Sequence, residues 1–212
     1  MRIPIAREGY PFILAALVLA VIAWFITPWL EILFGPLAVF VIAFFRDPER
    51  VIPADENSIV SPADGRVIKV ETVADGRILK KEVLRICVFM NVFNVHVNRA
   101  PASGVVTDIL YNPGKFFNAS LDKASLLNEQ NAVVMKAENG ETFAFNQIAG
   151  LIARRIVCHA RPAMSLSRGE RFGLIRFGSR VDVYLPAGSK AAVRVGDKVR
   201  AGSSILGYWN VR

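Results

Sequence analysis

Hydrophobic and polar positions divide the chain into two parts with different periods. From Pro11 to Phe45 the sequence "PFILAALVLAVIAWFITPWLEILFGPLAVFVIAFF" carries one charge, Glu31. It breaks at "TPW" and again at "FGP", which leaves apolar runs over Phe12 to Ile26 and Ile32 to Phe45. Each run falls short of the ~20 residues that cross a bilayer comfortably. The pattern predicts either a hairpin of two short helices entering a membrane or one tilted span with an irregular end. A buried hairpin in a soluble domain is the alternative, and the near absence of polar interruptions argues against it. The stretch is too long for a signal-peptide core, and no small-residue cleavage site follows it.

Past a polar, proline-bearing linker, "RDPERVIPADENS" (46 to 58), the period changes to two. Alternating segments at 65–73, 84–90, 93–100, 104–111, 180–186, 191–195 and 204–209 predict strands. The segment 131–150 predicts a hairpin turning at Asn139-Gly140. Residues 151–160 fit a strand or one short helix, and the polar stretch 111–130 reads as a long loop with a short helix around Lys123 to Asn128. The fold class is therefore mainly β, a β-dominated α+β arrangement. A barrel-sandwich-like β domain over 51–212 follows a hydrophobic membrane hairpin over 1–50.

One stretch resists this pattern. "RFGSRVD" (176–182) sets a Gly-Ser pair between the alternation of Phe172, Leu174 and Ile175 and that of Val181, Val183 and Leu185. Glycine inside a strand pattern ordinarily marks a bulge or a close backbone approach.

Charge sharpens the picture. The chain has 212 residues and a formal net charge of +8. Arg2, Arg7, Arg46 and Arg50 balance Glu8, Glu31, Asp47 and Glu49 in the first 50 residues, so the whole excess belongs to residues 51–212. A basic domain tethered to a bilayer is drawn to anionic headgroups. Nucleic acid is the other usual partner of a basic domain, but no nucleic-acid module is recognisable. Arginines on both flanks of the apolar segment favour a hairpin with both ends cytoplasmic. With only two Cys and two His in the chain, no zinc or other metal site is expected. Cys87 and Cys158 sit in apolar strand-like runs and read as small buried hydrophobes.

Candidate chemistry comes from polar residues in strand context. Asp64 lies in "SPADG", His96 alternates with Val95 and Val97 in "FNVHVNR", and Ser179 follows Gly178. Taken singly, each fits a turn or a satisfied strand position. Together they supply a nucleophile, a base and an orienting group. A second reading remains open. "SPADGRVIKV" and "VRVGDKVRAGSSILGY" resemble the halves of a biotinyl- or lipoyl-type barrel-sandwich, which would make the chain a membrane-tethered carrier or adaptor. The tight hairpin with a modifiable lysine is missing.

Six segments in order decide between them. "FFRDPER", "VSPADGRV", "FMNVFNVHVNRAP", "YNPGKFFNASLDKAS", "QIAGLIARRIV" and "RGERFGLIRFGSRVDVYLP" stand along nearly the whole chain. With them the chain resembles the short form of the phosphatidylserine decarboxylase family. The resemblance implies a proenzyme that cuts itself between Gly178 and Ser179 into fragments 1–178 and 179–212, which stay associated. Ser179 attacks the Gly178 carbonyl, with His96 as base and Asp64 orienting it, and β-elimination leaves a covalent pyruvoyl group at residue 179. That group forms a Schiff base with phosphatidylserine and releases carbon dioxide and phosphatidylethanolamine, and His96 is the candidate proton donor. The resemblance also implies a location at the cell (inner or plasma) membrane with the catalytic domain on the cytoplasmic side, and leaves homo-oligomerisation open. Longer relatives carry a second histidine where this chain has Arg99. Arg99, Lys115, Arg154 and Arg155 are candidate contacts for the lipid phosphate or carboxylate, since arginine binds both bidentately.

Overall fold

The computed structural model describes residues 4–117, 119, 127–151, 155–176 and 178–210. The chain divides into two compact units, Met1–Glu49 and Arg50–Arg212.

The first unit is a helical hairpin. Helix α1 (Tyr10–Ile26) follows a 3-10 turn at Arg7–Gly9, and α2 (Pro28–Phe44) returns after Thr27, whose extended backbone (φ −164°, ψ 134°) breaks the helix. Pro28 suits the first turn of α2, where its missing N–H costs no bond. The seam is built from small residues. Ala16 and Ala20 lie one turn apart on the same face of α1 and pack with Ala38, Phe34 and Val41 of α2. The outward faces carry exposed Leu14, Phe25, Trp29, Ile32 and Leu33, a surface that water does not tolerate at this extent. The first helix is longer than the apolar run Phe12 to Ile26 suggests. With its 3-10 turn it covers Arg7–Ile26, 20 residues, long and apolar enough to cross a membrane, whereas α2 has 17. The two ends of the hairpin are stitched together. The Ala6 N–H donates to the Phe45 carbonyl at 2.8 Å and the Asp47 N–H to the Pro4 carbonyl at 2.7 Å, so the chain enters and leaves at one end.

The second unit is mainly β. An antiparallel eight-stranded sheet runs in the order β13 (Lys198–Val199), β2 (Gly65–Asp75), β3 (Lys81–Met90), β11 (Ser179–Pro186), β7 (Thr142–Ile148), β6 (Gln130–Ala137), β5 (Gly104–Asn112), β9 (Ser165–Leu166). Register shifts between Val67 and Lys69 and between Val106 and Asp108 insert extra residues that bend and twist the strands. A small sheet of β4 (Val97–Arg99), β10 (Arg171–Ile175) and β8 (Ile156–Cys158), and another of β1 (Ser58–Val60), β14 (Ile205–Tyr208) and β12 (Lys190–Ala191), complete the unit. The core gathers Met90, Met135, Phe143, Phe145, Phe172, Val181, Val183 and Trp209. Phe145 meets Phe172 with ring centroids 4.6 Å apart, and Phe143 meets Trp209 edge-on at 5.3 Å.

Several expectations shift. The hairpin does turn at Asn139-Gly140, where Gly140 has φ +85°. The strand expected over 93–100 shrinks to Val97–Arg99 because Asn91 and Asn94 close a turn in front of it. Only Lys190–Ala191 is strand in the neighbourhood of 191–195. Residues 151–160 hold strand β8, and the helix expected around Lys123 falls largely outside the described residues. The two barrel-sandwich look-alike segments pair with each other, Lys198 opposite Arg66 and Val199 opposite Gly65.

Candidate active site

The Gly-Ser pair is not a bulge within a strand. Strand β10 ends at Ile175 in the small sheet, and β11 begins at Ser179 in the centre of the large one. Gly178 is the corner between them. Its φ is +60°, left-handed backbone that glycine adopts without the Cβ clash other residues meet. Space is not the constraint there, since a Cβ at 178 would meet nothing within 4 Å.

Ser179 is fully buried and pairs with Met90 across β11 and β3. Its hydroxyl donates to the Met90 thioether at 3.4 Å, a weak acceptor that leaves the oxygen lone pairs uncommitted. Sequence reasoning passed over Met90. Its place at the end of an apolar strand run is the ordinary signature of a core residue.

His96 reaches the same corner from the residue before β4. The Gly178 N–H donates to His96 Nε2 at 3.4 Å, and His96 Nδ1 lies 2.9 Å from the Asn94 carbonyl. A carbonyl only accepts and an N–H only donates, so both contacts require a neutral ring protonated on Nδ1. The Nε2 lone pair then accepts from the Gly178 N–H, one peptide unit before the Gly178–Ser179 bond, and this is the tautomer a general base needs. Removing the imidazole by His96→Ala is expected to slow self-cleavage about 10²–10⁴-fold. A denaturing gel over time reads the intact fraction, and an unchanged rate would take His96 out of the proton transfer.

The structure brings Gly178, Ser179 and His96 together and gives Asp64 other partners. Arg50 donates through one nitrogen to both Asp64 oxygens at 3.0 and 2.8 Å, and the Ala201 N–H donates to Oδ1 at 2.7 Å. The orienting bond to Nδ1 that was expected of Asp64 is made by the Asn94 carbonyl. Asn94 is set by the turn in which its own Oδ1 accepts the Asn91 N–H. Asp64 instead borders a cleft of about 640 Å³ that it shares with Asn94, Arg66, Lys198 and Arg200. These cations carried no signal in the sequence, because exposed basic residues on strand ends are common.

The expected substrate cations fall in different places. Arg99 is buried, donates to the Gly169 carbonyl at 3.0 Å and packs beside Gly202. Lys115 and Arg155 are exposed, Arg154 lies outside the described residues, and so does Phe177. Arg180, next to Ser179, is fully buried and holds Asp182 through two bonds of 2.5 and 2.6 Å, with Cys87 Sγ 3.1 Å away. Burial works to lower the Arg180 pKa, but Asp182 outweighs it and the guanidinium stays charged. Burial, followed by the Asp182 carboxylate, pushes the Cys87 thiol up, so it stays protonated. Among the described residues no cluster of His, Cys, Asp or Glu is grouped to hold a metal ion.

Comparison with known proteins identifies the family. The family model described as phosphatidylserine decarboxylase matches residues 37–207. A phosphatidylserine decarboxylase proenzyme of Burkholderia multivorans is 54% identical over 206 residues, covering 95% of this chain and 94% of that protein. Those of Nitrosomonas europaea and Paraburkholderia phytofirmans are each 53% identical over 203 residues, covering 95% of this chain and 94% and 95% of theirs. A match of this extent, spanning the Gly178–Ser179 corner and the strands that frame it, means that the chain belongs to the phosphatidylserine decarboxylase family.

Proposed function

We propose that this chain is a phosphatidylserine decarboxylase proenzyme that cleaves itself between Gly178 and Ser179 and then converts phosphatidylserine to phosphatidylethanolamine and carbon dioxide. The observation that carries the reading is the corner itself: a left-handed glycine with His96 Nε2 on its N–H, followed by a buried serine. Ser179 Oγ attacks the Gly178 carbonyl carbon, and the acyl group passes from nitrogen to oxygen through a five-membered ring. His96 takes the hydroxyl proton and returns it to the departing nitrogen. A base then takes the Cα proton of residue 179 while the Oγ–Cβ bond breaks, releasing Gly178 as a carboxylate and leaving dehydroalanine at 179. Its enamine tautomerises, and water replaces the nitrogen as ammonia, which gives the pyruvoyl terminus.

The residues around position 179 fit such a group. It remains in register opposite Met90, in a buried setting, at the start of a strand paired on both sides. The group supplies a ketone that reacts with the substrate amine and draws off the electrons left by carbon dioxide. The chain's own residues hold the substrate. Lys115, Arg155 and the cleft cations Arg66, Lys198 and Arg200 are exposed and suited to the headgroup phosphate and carboxylate.

After cleavage the small fragment 179–212 is retained by pairing. Strand β11 lies between β3 and β7, β13 pairs with β2, and β14 with β1. The domains are the hairpin of residues 1–50 and the decarboxylase of 51–212. The hairpin anchors the enzyme in the inner or plasma membrane, where the substrate's acyl chains reside, with the catalytic domain cytoplasmic. The joined hairpin ends and their flanking arginines support that sidedness. The basic charge of the catalytic domain favours an anionic membrane surface.

The test is the mass of the purified protein under denaturing conditions, alongside carbon dioxide release from phosphatidylserine vesicles. Two fragments are expected, the smaller matching residues 179–212 with a pyruvoyl in place of Ser179. A single 23.4 kDa chain that still decarboxylates would overturn the reading.

A further inference from the structure

A second glycine meets the cleavage site from outside the motif that contains it. Gly150 follows β7 and lies against the Gly178 carbonyl. A Cβ built on Gly150 would overlap the Gly178 carbonyl oxygen and sit 2.8 Å from its carbon, closer than a real Cβ approaches anything. Both atoms are backbone, so no side chain can swing aside to make room. This is the reverse of Gly178, where the space is open and the dihedral is the constraint.

The backbone leading into Gly150 is pinned. The Ala149 N–H donates to the Glu129 carbonyl at 3.0 Å. The Ala149 carbonyl accepts from Asn128 Nδ2 at 2.7 Å. The Asn128 side chain is fully buried and also bonds Phe117, donating to its carbonyl at 2.7 Å and accepting from its N–H at 2.9 Å. With one wall fixed, an added methyl would displace the other, which is the scissile carbonyl.

We propose that Gly150 is a positioning residue for self-cleavage: the side chain it lacks leaves the slot in which the Gly178 carbonyl is held for attack by Ser179. The proposal rests on the self-cleaving proenzyme reading. Attack requires the oxygen nucleophile to approach the carbonyl carbon along a narrow range of directions. A misplacement on the order of 1 Å costs about 10²-fold in rate. Asn128 serves the same slot at one remove, by fixing the Ala149 carbonyl.

The test compares the wild-type chain, Gly150→Ala and Asn128→Ser for the rate of appearance of the small fragment. Each is also measured for thermal unfolding and for cleavage between residues 178 and 179 by neutral hydroxylamine, read by fragment mass so that any cut at Asn139-Gly140 is told apart from an ester at the corner. Gly150→Ala is expected to fold, to cleave about 10²-fold more slowly, and to stay resistant to hydroxylamine, because the block precedes the acyl shift. Asn128→Ser, which leaves position 150 without a Cβ, is expected to slow cleavage about tenfold, the equivalent of the single bond that holds the Ala149 carbonyl, the one of its three that bears on the slot. A merely structural role would lower the melting temperature without this pattern. Folded Gly150→Ala that cleaves at the wild-type rate, or that accumulates a hydroxylamine-sensitive ester, overturns the proposal. If Gly150→Ala does not fold, Asn128→Ser decides it, and normal cleavage there overturns it. A wild-type chain that never cuts at Gly178–Ser179 would instead overturn the proenzyme reading beneath it.

Discussion

Ser179→Ala is expected to leave one intact chain of 23.4 kDa with no decarboxylase activity. On the proposed route the substitution deletes the oxygen that attacks the Gly178 carbonyl and, with it, the source of the pyruvoyl group. It should change little else. Ser179 is fully buried, its hydroxyl donates to the Met90 thioether at 3.4 Å, and alanine keeps the Cβ that packs at the start of β11. The lost bond is to a weak acceptor, so the fold should persist. Ser179→Cys supplies a contrasting arm. A thiolate can make the same attack and eliminate to the same dehydroalanine, so partial cleavage is expected where alanine gives none. Mass spectrometry of both variants reads the outcome. Cleavage of the alanine variant at the same bond would dismiss the acyl shift.

The parts of the fold legible in the sequence were those that local chemistry specifies. Asn139-Gly140 marked its turn because glycine tolerates the positive φ there. The first hairpin helix is marked by an apolar run that ends at Thr27-Pro28, whereas the break expected at "FGP" is absent, because α2 runs Pro28–Phe44 with Pro36 inside it. Alternation alone does not show that Gly178 is a corner, because β10 and β11 alternate alike and only tertiary structure sends them to different sheets. The turn before His96 had a signal that went unused. Asn91 and Asn94 both suit side-chain-to-backbone bonds, and they make them. The partner of Asp64 had none, because Arg50 is 14 positions away and spacing alone does not pair charges.

The polar face of β11 is a further case. Arg180, Asp182 and Tyr184 alternate with core residues and so read as solvent-facing, yet the whole strand is buried. The reason is a cover. Tyr184 packs with Val83, Val134 and Ala144, and Val73, Ile78 and Leu79 close over them. Once that face is dry, its charges must pair. Arg180 and Asp182 are two residues apart on one strand, hence on one face, and bond to each other. Tyr184 responds to the same layer, its phenol pushed up by burial first and by Asp182 next.

Asp182→Ala is accordingly expected to cost about 3–5 kcal/mol, the penalty for leaving a buried charge without its partner. Among the described residues Arg180 Nη1 has no hydrogen-bond partner, and the other contact of the guanidinium is the weak Cys87 Sγ acceptor, so no second carboxylate stands ready to replace Asp182. The measurement belongs in the Ser179→Ala background, where an unbroken chain keeps unfolding to a single polypeptide. The denaturant midpoint of the β-sheet circular dichroism, taken in detergent, reads the change. Replacing both partners, Arg180→Met with Asp182→Leu, should recover most of the loss, because a well-packed apolar pair of similar volume is often neutral or stabilising. A single Asp182→Ala within about 1 kcal/mol of its parent would mean that water reaches Arg180 and screens it as it screens a surface pair. The double variant also separates stability from chemistry. In a chain that retains Ser179, recovered stability with normal cleavage would make the pair purely structural. Recovered stability with slow cleavage would mean that the ion pair holds residue 179 in the register the acyl shift requires.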